Sequence, residues 1–259
     1  MVDPAAPFSL GEGPDACLLL HGLTGAPSEL RPVGEALAQA GIRAVGPLLP
    51  GHGTRAQDLE NISRVDLLDA ARSALANLKD ARRVFVCGLS MGALLTLRLA
   101  AEAPGRIDAV ALLAPAIRFV GSTWLFTQVL GRLPITVPFL LPKGARDIQG
   151  AQAAPADDRS PSHPDGAYRS VPLRWGRELR KLADEGLADA PRVQARALIL
   201  HGALDRTTDV RGARLLARAM KVNEMSLRVF PRSGHVLPLD LEGQEVSDAV
   251  VRFFKQSEG

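Results

Sequence analysis

The stretch RVFVCGLSMGALLTLRLA, residues 83–100, decides the fold of this chain. Its first part is a short apolar run typical of a buried strand, and its last part has the apolar spacing of a helix. Between them lies Gly88-Leu-Ser-Met-Gly92, the Gly-x-Ser-x-Gly pattern of a tight strand-to-helix turn. A side chain at either glycine would collide with the neighbouring strand or the helix start, and the central serine is held at a strained backbone angle. The pattern therefore predicts an α/β sheet that presents Ser90 at its edge.

The same alternation of short apolar runs and helical runs continues along most of the 259 residues. Apolar runs without strict alternation favour parallel strands that are covered on both faces. The predicted strands are 16–21, 43–47, 83–88, 109–114, 195–201 and 226–230, and the predicted helices are 28–40, 64–78, 91–102, 171–188, 210–222 and 242–255. We therefore expect a single α/β domain over residues 1–259, with a mostly parallel central sheet flanked by helices.

The alternation stops at about residues 116–170, which we interpret as an insertion. Its apolar part is interrupted by three prolines, Gln128 and Arg132, which argues against a helix that spans a membrane. A long insertion in a regular α/β pattern is more often a lid or a binding loop than a filler. The candidate substrate contacts in and beside it are Phe119, Trp124, Phe126 and Phe139.

Composition excludes several classes of partner. The net charge is only +3, from 31 basic and 28 acidic residues, and no basic block stands out, so nucleic acid is not expected as a partner. Cys17 and Cys87 each lie inside an apolar run, which fits reduced thiols and no metal site. The first ten residues lack the pattern of a secretory signal, so we expect a cytoplasmic protein. Stable membrane insertion is not expected, although transient contact with a lipid surface stays open.

Ser90 requires two partners if it is a nucleophile. A serine hydroxyl attacks efficiently only when a histidine accepts its proton and an acid orients that histidine. Asp205 follows the fifth predicted strand and His235 follows the sixth, which gives the chain order Ser, Asp, His. Asp209 is a rival acid, but it also suits the N-cap of the next helix. We predict Ser90, Asp205 and His235 as a catalytic triad.

The remaining histidines have other interpretations. His201 ends an apolar strand and fits a hydrogen-bonded structural group, whereas His163 lies in a polar part of the insertion and is expected in solvent. His52, in Pro50-Gly-His-Gly53, follows the second predicted strand. It either lines a substrate pocket or satisfies a loop, and the sequence favours neither.

An acyl-transfer reaction also needs fixed N–H donors for the oxyanion of the tetrahedral intermediate. The backbone N–H of the residue after the nucleophile is one such donor, and here that residue is Met91. The loop after the first predicted strand, His21-Gly-Leu-Thr-Gly25, can supply the other from Leu23. Gly22 lets this backbone approach the substrate closely.

These motifs together resemble the α/β-hydrolase superfamily, and within it the bacterial carboxylesterases and monoacylglycerol lipases. The resemblance covers about residues 16–254 apart from the insertion. It implies an α/β-hydrolase fold with a lid, hydrolysis of a small ester through an acyl-enzyme, and no cofactor. Two positions depart from the usual pattern, Leu23 in place of phenylalanine and Ala93 in place of glycine, and the insertion is longer than the small caps of that group.

Several activities share such a triad. The alternatives are acyl transfer, perhydrolysis, hydrolysis of a carbon–carbon bond and, in a different class, a ligand receptor without catalysis. Dehalogenases and epoxide hydrolases attack with a carboxylate where this chain has Ser90, so the sequence argues against them.

Overall fold

The computed structural model describes residues 3, 5–121, 136–138, 168 and 170–256. In this part of the chain the strands are β1 (Phe8–Leu10), β2 (Asp15–Leu20), β3 (Ile42–Gly46), β4 (Val84–Leu89), β5 (Ala109–Leu113), β6 (Thr136–Pro138), β7 (Ser170–Pro172), β8 (Arg196–Gly202) and β9 (Met225–Phe230). The main sheet has the order β1-β3-β2-β4-β5-β8-β9. Strand β1 is antiparallel to β3, and every other neighbouring pair is parallel. Strands β6 and β7 form a separate antiparallel pair.

Helices cover both faces of the main sheet. They are α1 (Arg31–Gln39), α2 (Arg64–Ala76), α3 (Met91–Glu102), α4 (Arg174–Asp189), α5 (Val210–Ala219) and α6 (Gly243–Lys255). Helices α1 and α6 pack on one face, and the other helices share the apolar core of the opposite face. Successive side chains of β2 alternate between these cores, with Leu18 and Leu20 in one and Cys17 and Leu19 in the other. Both faces are therefore buried, as the uninterrupted apolar runs predict.

The predicted parallel sheet and its helices are confirmed, with boundaries that differ by a few residues. Two elements differ more. Strand β1 is too short to give a pattern, and it forms an antiparallel edge whose central residue, Ser9, is exposed. Residues 170–172 form β7, so the predicted helix 171–188 begins only at Arg174. Pro172 has no N–H to give to a helix, which fits its place at the end of a strand.

Two further predictions concern thiols and membranes. Cys17 and Cys87 are buried and free, as expected, and burial raises the pKa of each thiol. In the ranges that the structure describes, no helix is both long enough and apolar enough to cross a bilayer. Most of the predicted insertion, residues 122–135 and 139–167, lies outside the described residues.

Candidate active site

Ser90 occupies the sharp turn between β4 and α3. Its backbone has φ 56° and ψ −110°, a conformation that residues with a side chain rarely adopt. A Cβ at Gly88 would lie closer than 3.0 Å to the backbone of Gly92, and a Cβ at Gly92 would lie equally close to Leu20 O. The strain and the requirement for both glycines are therefore confirmed. The turn places the Ser90 hydroxyl at the carboxyl end of the sheet, where ligand sites of open parallel sheets lie.

Asp205 and His235 form a hydrogen-bonded pair at the same end of the sheet. The loop after β8 carries Asp205 and the loop after β9 carries His235, and Nδ1 of His235 lies 2.8 Å from Asp205 Oδ2. An ionised carboxylate only accepts hydrogen bonds, so the imidazole carries its proton on Nδ1. This tautomer leaves the lone pair of Nε2 available to accept a proton.

The Asp205 carboxylate is fully buried and held by its own loop. Oδ1 accepts the backbone N–H groups of Thr207 and Thr208 at 2.7 and 2.9 Å, and Oδ2 accepts the Thr208 hydroxyl at 2.6 Å. Burial alone would raise the pKa of Asp205, but the charge and hydrogen bond of His235 and the bonds from Thr208 bring it to about 2. Asp205 therefore stays ionised beside the imidazole.

The contact with Asp205 also raises the pKa of His235. Burial lowers the pKa of His235, whereas the charge and hydrogen bond of Asp205 and the charge of Glu29 raise it. The net pKa lies above that of an ordinary histidine. A base with this pKa is stronger than free imidazole, which suits a group that must accept a proton from a serine hydroxyl.

The rival acid and the neighbouring histidine have structural contacts. Asp209 caps α5, accepting the Arg211 N–H at 2.9 Å, and the Arg211 guanidinium holds the pKa of Asp209 at about 2. His201 is fully buried; its Nδ1 contacts Gly202 O at 2.9 Å and its Nε2 lies 3.3 Å from Thr208 Oγ1. His201 thus supports the loop of Asp205, in keeping with the structural interpretation. His163 lies outside the described residues.

Ser90 and His235 lie at the same carboxyl end of the sheet but are not hydrogen-bonded to each other. In the described residues, Ser90 Oγ has no partner within hydrogen-bond distance, and its backbone N–H donates to Leu113 O at 2.8 Å. Hydrogen bonds between a nucleophile and its base often shorten only when substrate binds. Among the described residues, the structure therefore brings Asp205 and His235 into hydrogen-bond contact and shows no such contact between Ser90 and His235.

The loop after β2 has a fixed conformation. Gly22 O accepts hydrogen bonds from His21 Nδ1 at 2.9 Å and from the Gly25 N–H at 3.2 Å. The other nitrogen of His21 accepts the Leu49 N–H at 3.1 Å, so His21 is neutral with its proton on Nδ1. Carbonyl and N–H of a trans peptide point in opposite directions. Fixing Gly22 O therefore also fixes the direction of the Leu23 N–H.

Further contacts hold the same loop from outside. His52 Nε2 lies 2.6 Å from Leu23 O, and the Tyr168 N–H donates to Thr24 O at 2.6 Å. The Tyr168 ring stacks on the His52 ring, and its hydroxyl donates to Gly51 O at 2.9 Å. Both nitrogens of His52 face backbone carbonyls, so its visible contacts are those of a loop support. The sequence carries no separate signal for Tyr168, whose partners lie more than a hundred positions away.

The two predicted oxyanion donors lie on segments that pack together. A Cβ added at Gly22 would lie 3.7 Å from Ser90 Cβ, so the loop lies directly against the turn of the serine. Among the described residues, neither the Leu23 N–H nor the Met91 N–H is used in a hydrogen bond.

The predicted substrate contacts are only partly described. Phe119 is half-buried, packs on the core of the α2 and α3 face and forms a β-bridge with Thr208, beside the Asp205 loop. Trp124, Phe126 and Phe139 lie outside the described residues. Sequence reasoning missed Glu29, a buried carboxylate whose Oε2 accepts the Gly22 N–H at 3.2 Å.

Comparison with known proteins gives a consistent result. The chain is 28% identical over 263 residues to a thermostable monoacylglycerol lipase of Bacillus sp. strain H-257, covering 98% of this chain and 96% of the relative. It is 20% identical to a carboxylesterase of Bacillus subtilis strain 168, covering 96% of each. The monoacylglycerol lipase of Paleococcus ferrophilus has a similar fold, with a TM-score of 0.77, 21% identity and coverage of 96% and 97%.

The family model described as serine aminopeptidase, S33, matches residues 12–242, which is most of the chain and includes every predicted triad and oxyanion residue. Solved structures support the predicted α/β-hydrolase fold independently of this match. One of them, described with the metagenome-derived lipolytic enzymes LipS and LipT, has a TM-score of 0.84 and 23% identity, with 98% of each chain covered. The resemblance to serine hydrolases is thereby confirmed. The chain belongs to the serine aminopeptidase S33 family of α/β-hydrolases.

Proposed function

We propose that this chain is a serine ester hydrolase of the carboxylesterase or monoacylglycerol lipase type, with Ser90, His235 and Asp205 as its triad. The observation that carries the proposal is the buried Asp205 carboxylate hydrogen-bonded to His235, at the same carboxyl end of the sheet as the strained Ser90. The names of the relatives, a monoacylglycerol lipase and a carboxylesterase, support esters as the substrate class.

The proposed reaction uses only protein groups and water. His235 Nε2 accepts the Ser90 proton as Oγ attacks the ester carbonyl, and the Leu23 and Met91 N–H groups bind the resulting oxyanion. Each such donor contributes roughly 3 kcal/mol to the stability of the transition state. His235 then protonates the leaving alcohol, and water repeats the cycle on the acyl-enzyme. No metal or organic cofactor has a step in this sequence.

The proposed substrate class rests on the apolar side chains around the serine turn and the Asp205 loop. Leu23 and Met91 are both buried beside the serine turn, and Phe119 lies next to the Asp205 loop. Together they favour an apolar acyl or alcohol group over a charged one. We propose that the insertion at about 116–170 completes this surface as a lid and makes transient contact with lipid. The two free, buried thiols accord with a proposed cytoplasmic location.

The test is a chain-length series of p-nitrophenyl esters and monoacylglycerols, assayed with the purified chain and with Ser90→Ala. We expect hydrolysis of short to medium acyl chains, and a loss of kcat of roughly 10⁵- to 10⁶-fold in the variant. Ser73→Ala is the matched control, because Ser73 is an exposed serine on α2. Unchanged turnover in Ser90→Ala would refute the assignment of the nucleophile.

Two further measurements separate the alternatives. Product analysis with a competing alcohol or peroxide distinguishes hydrolysis from acyl transfer and perhydrolysis. A fluorophosphonate probe reports whether Ser90 is activated at all, and a chain that it fails to label would fit a receptor better than an enzyme. Aminoacyl p-nitroanilides test the peptidase activity named in the family description.

A further inference from the structure

Glu29 is a carboxylate built into the loop of the predicted oxyanion donor. It lies in a short 3-10 turn, Pro27–Leu30, and is only 8% exposed. Its Oε2 accepts the Gly22 N–H at 3.2 Å. A Cβ at Gly25 would lie closer than 3.0 Å to both carboxylate oxygens, so the carboxylate rests on the Gly25 backbone. Glycine at position 25 therefore leaves the space that the Glu29 carboxylate fills.

This carboxylate lies close to the reacting groups. A Cβ at Gly22 would be 3.5 Å from Glu29 Oε2 and 3.7 Å from Ser90 Cβ, which places the two side chains on one side of the loop. The turn Pro27–Leu30 also contacts the segment Leu237–Leu239, which follows His235. Glu29 is thus in contact with the oxyanion loop, and its turn packs against the segment that follows the base.

We propose that Glu29 is a positioning residue of the ester hydrolase site: it orients the oxyanion loop through Gly22 and favours the positive charge that His235 acquires in the reaction. The inference rests on the proposed function. The hydrogen bond to Gly22 acts on the loop, because it fixes the peptide that precedes the Leu23 donor. The negative charge acts on the base, because His235 becomes an imidazolium when it accepts the Ser90 proton.

The charged and titratable groups around His235 come from several elements. Asp205, on the loop after β8, and Glu29, on the loop after β2, both raise the pKa of His235 against the effect of burial. His201, on β8, is a second imidazole coupled to His235. Asp240 accepts the N–H of Gly234, the residue before His235, at 2.6 Å. Of these acids, only Glu29 also touches the oxyanion loop, in the part of the chain that the structure describes.

The variants Glu29→Gln and Glu29→Ala separate the two effects. Glutamine keeps an oxygen that can accept the Gly22 N–H but removes the charge, so the acid limb of kcat/KM should move to lower pH by about 0.5 to 1 unit. Its kcat on the pH plateau should fall modestly, by about threefold, because the imidazolium formed in the reaction loses the same favourable charge. Alanine removes the acceptor as well, so its plateau kcat should fall by about tenfold or more with little change in KM.

The matched control is Glu35→Gln, which makes the same charge change at an exposed position on α1 and should leave the pH profile unchanged. The pKa of His235 is also read directly by NMR titration of its imidazole, which needs no turnover. An unshifted His235 titration in Glu29→Gln, or an unchanged plateau kcat in a folded Glu29→Ala, overturns the inference. If the parent chain hydrolyses no ester, the proposed function fails, and the NMR titration still tests the effect of Glu29 on His235.

Discussion

Replacing Ser90 by glycine should stabilise the fold relative to replacing it by alanine. Both variants lack the hydroxyl, and they differ at this site mainly in one Cβ. Ser90 has φ 56° and ψ −110°, where a residue with a Cβ is strained and glycine is not. Strain of this kind costs of order 1 to 3 kcal/mol, and alanine at position 90 retains it.

Opposing contributions set the difference in free energy of unfolding between Ser90→Gly and Ser90→Ala. Glycine relieves the strain, but it gives the unfolded chain about 0.5 to 1 kcal/mol more conformational entropy to lose. The loss of a buried methyl-sized group costs a similar small amount. From the middle of each range, the free energy of unfolding of Ser90→Gly should therefore exceed that of Ser90→Ala by roughly 0.5 kcal/mol. For a chain of this size, the Tm should rise by about 1 to 2 °C.

Urea denaturation and thermal scans measure this difference, and an ester assay checks that both variants are inactive. The control pair is Ser73→Gly and Ser73→Ala in the middle of α2, at an exposed position. There glycine should be less stable than alanine by about 1 kcal/mol, the opposite sign. If Ser90→Gly is equal to or less stable than Ser90→Ala, the turn is not strained and the reasoning is wrong.

Two other predictions concern the base and the turn. Asp205→Asn should lower kcat by roughly 10³- to 10⁴-fold. It should also move the acid limb of kcat/KM to lower pH, because the charge and hydrogen bond of Asp205 are what raise the pKa of His235. An NMR spectrum checks that the variant is folded. In the parent, activity should fall as pH drops through the raised pKa of His235, while Asp205 stays ionised down to about pH 2. Gly92→Ala should lower the free energy of unfolding, measured by urea denaturation, by about 3 kcal/mol or more, because its Cβ would overlap Leu20 O. The control is Gly186→Ala in α4, where a Cβ has ordinary contacts and the free energy of unfolding should rise by about 1 kcal/mol.

Much of the fold could be predicted from the sequence, because strands buried on both faces are continuous apolar runs. Helix α3 has the predicted boundaries, and the turn before it is fixed by Gly88 and Gly92 through local sterics. Strand β1 could not be predicted, since it is defined only by its pairing with β3, a contact between segments more than thirty residues apart.

The candidate site divides in the same way. Ser90 follows β4 directly, and Asp205 and His235 lie three and five residues after the strands that precede them, so a local pattern predicts each of them. The pattern Asp205-Arg-Thr-Thr208 is also typical of an aspartate whose side chain accepts the N–H groups two and three positions later, as the structure shows. This local pattern favours Asp205 as a fixed carboxylate. Glu29 gave no such signal, because its meaning depends on where the turn Pro27–Leu30 lies against the serine loop.

The two thiols in the central sheet provide an internal reporter. Cys17 on β2 and Cys87 on β4 lie on adjacent strands, fully buried, and the raised pKa of each leaves little thiolate to react. Both side chains lie in the core between the sheet and helices α1 and α6, so a disulfide reagent can reach them only when this core opens. The rate of their modification in native buffer therefore measures how often that face of the sheet is uncovered. For the same reason, short exposure to thiol reagents should leave the enzyme active, and inhibition by a serine-directed probe can be interpreted without interference from cysteine.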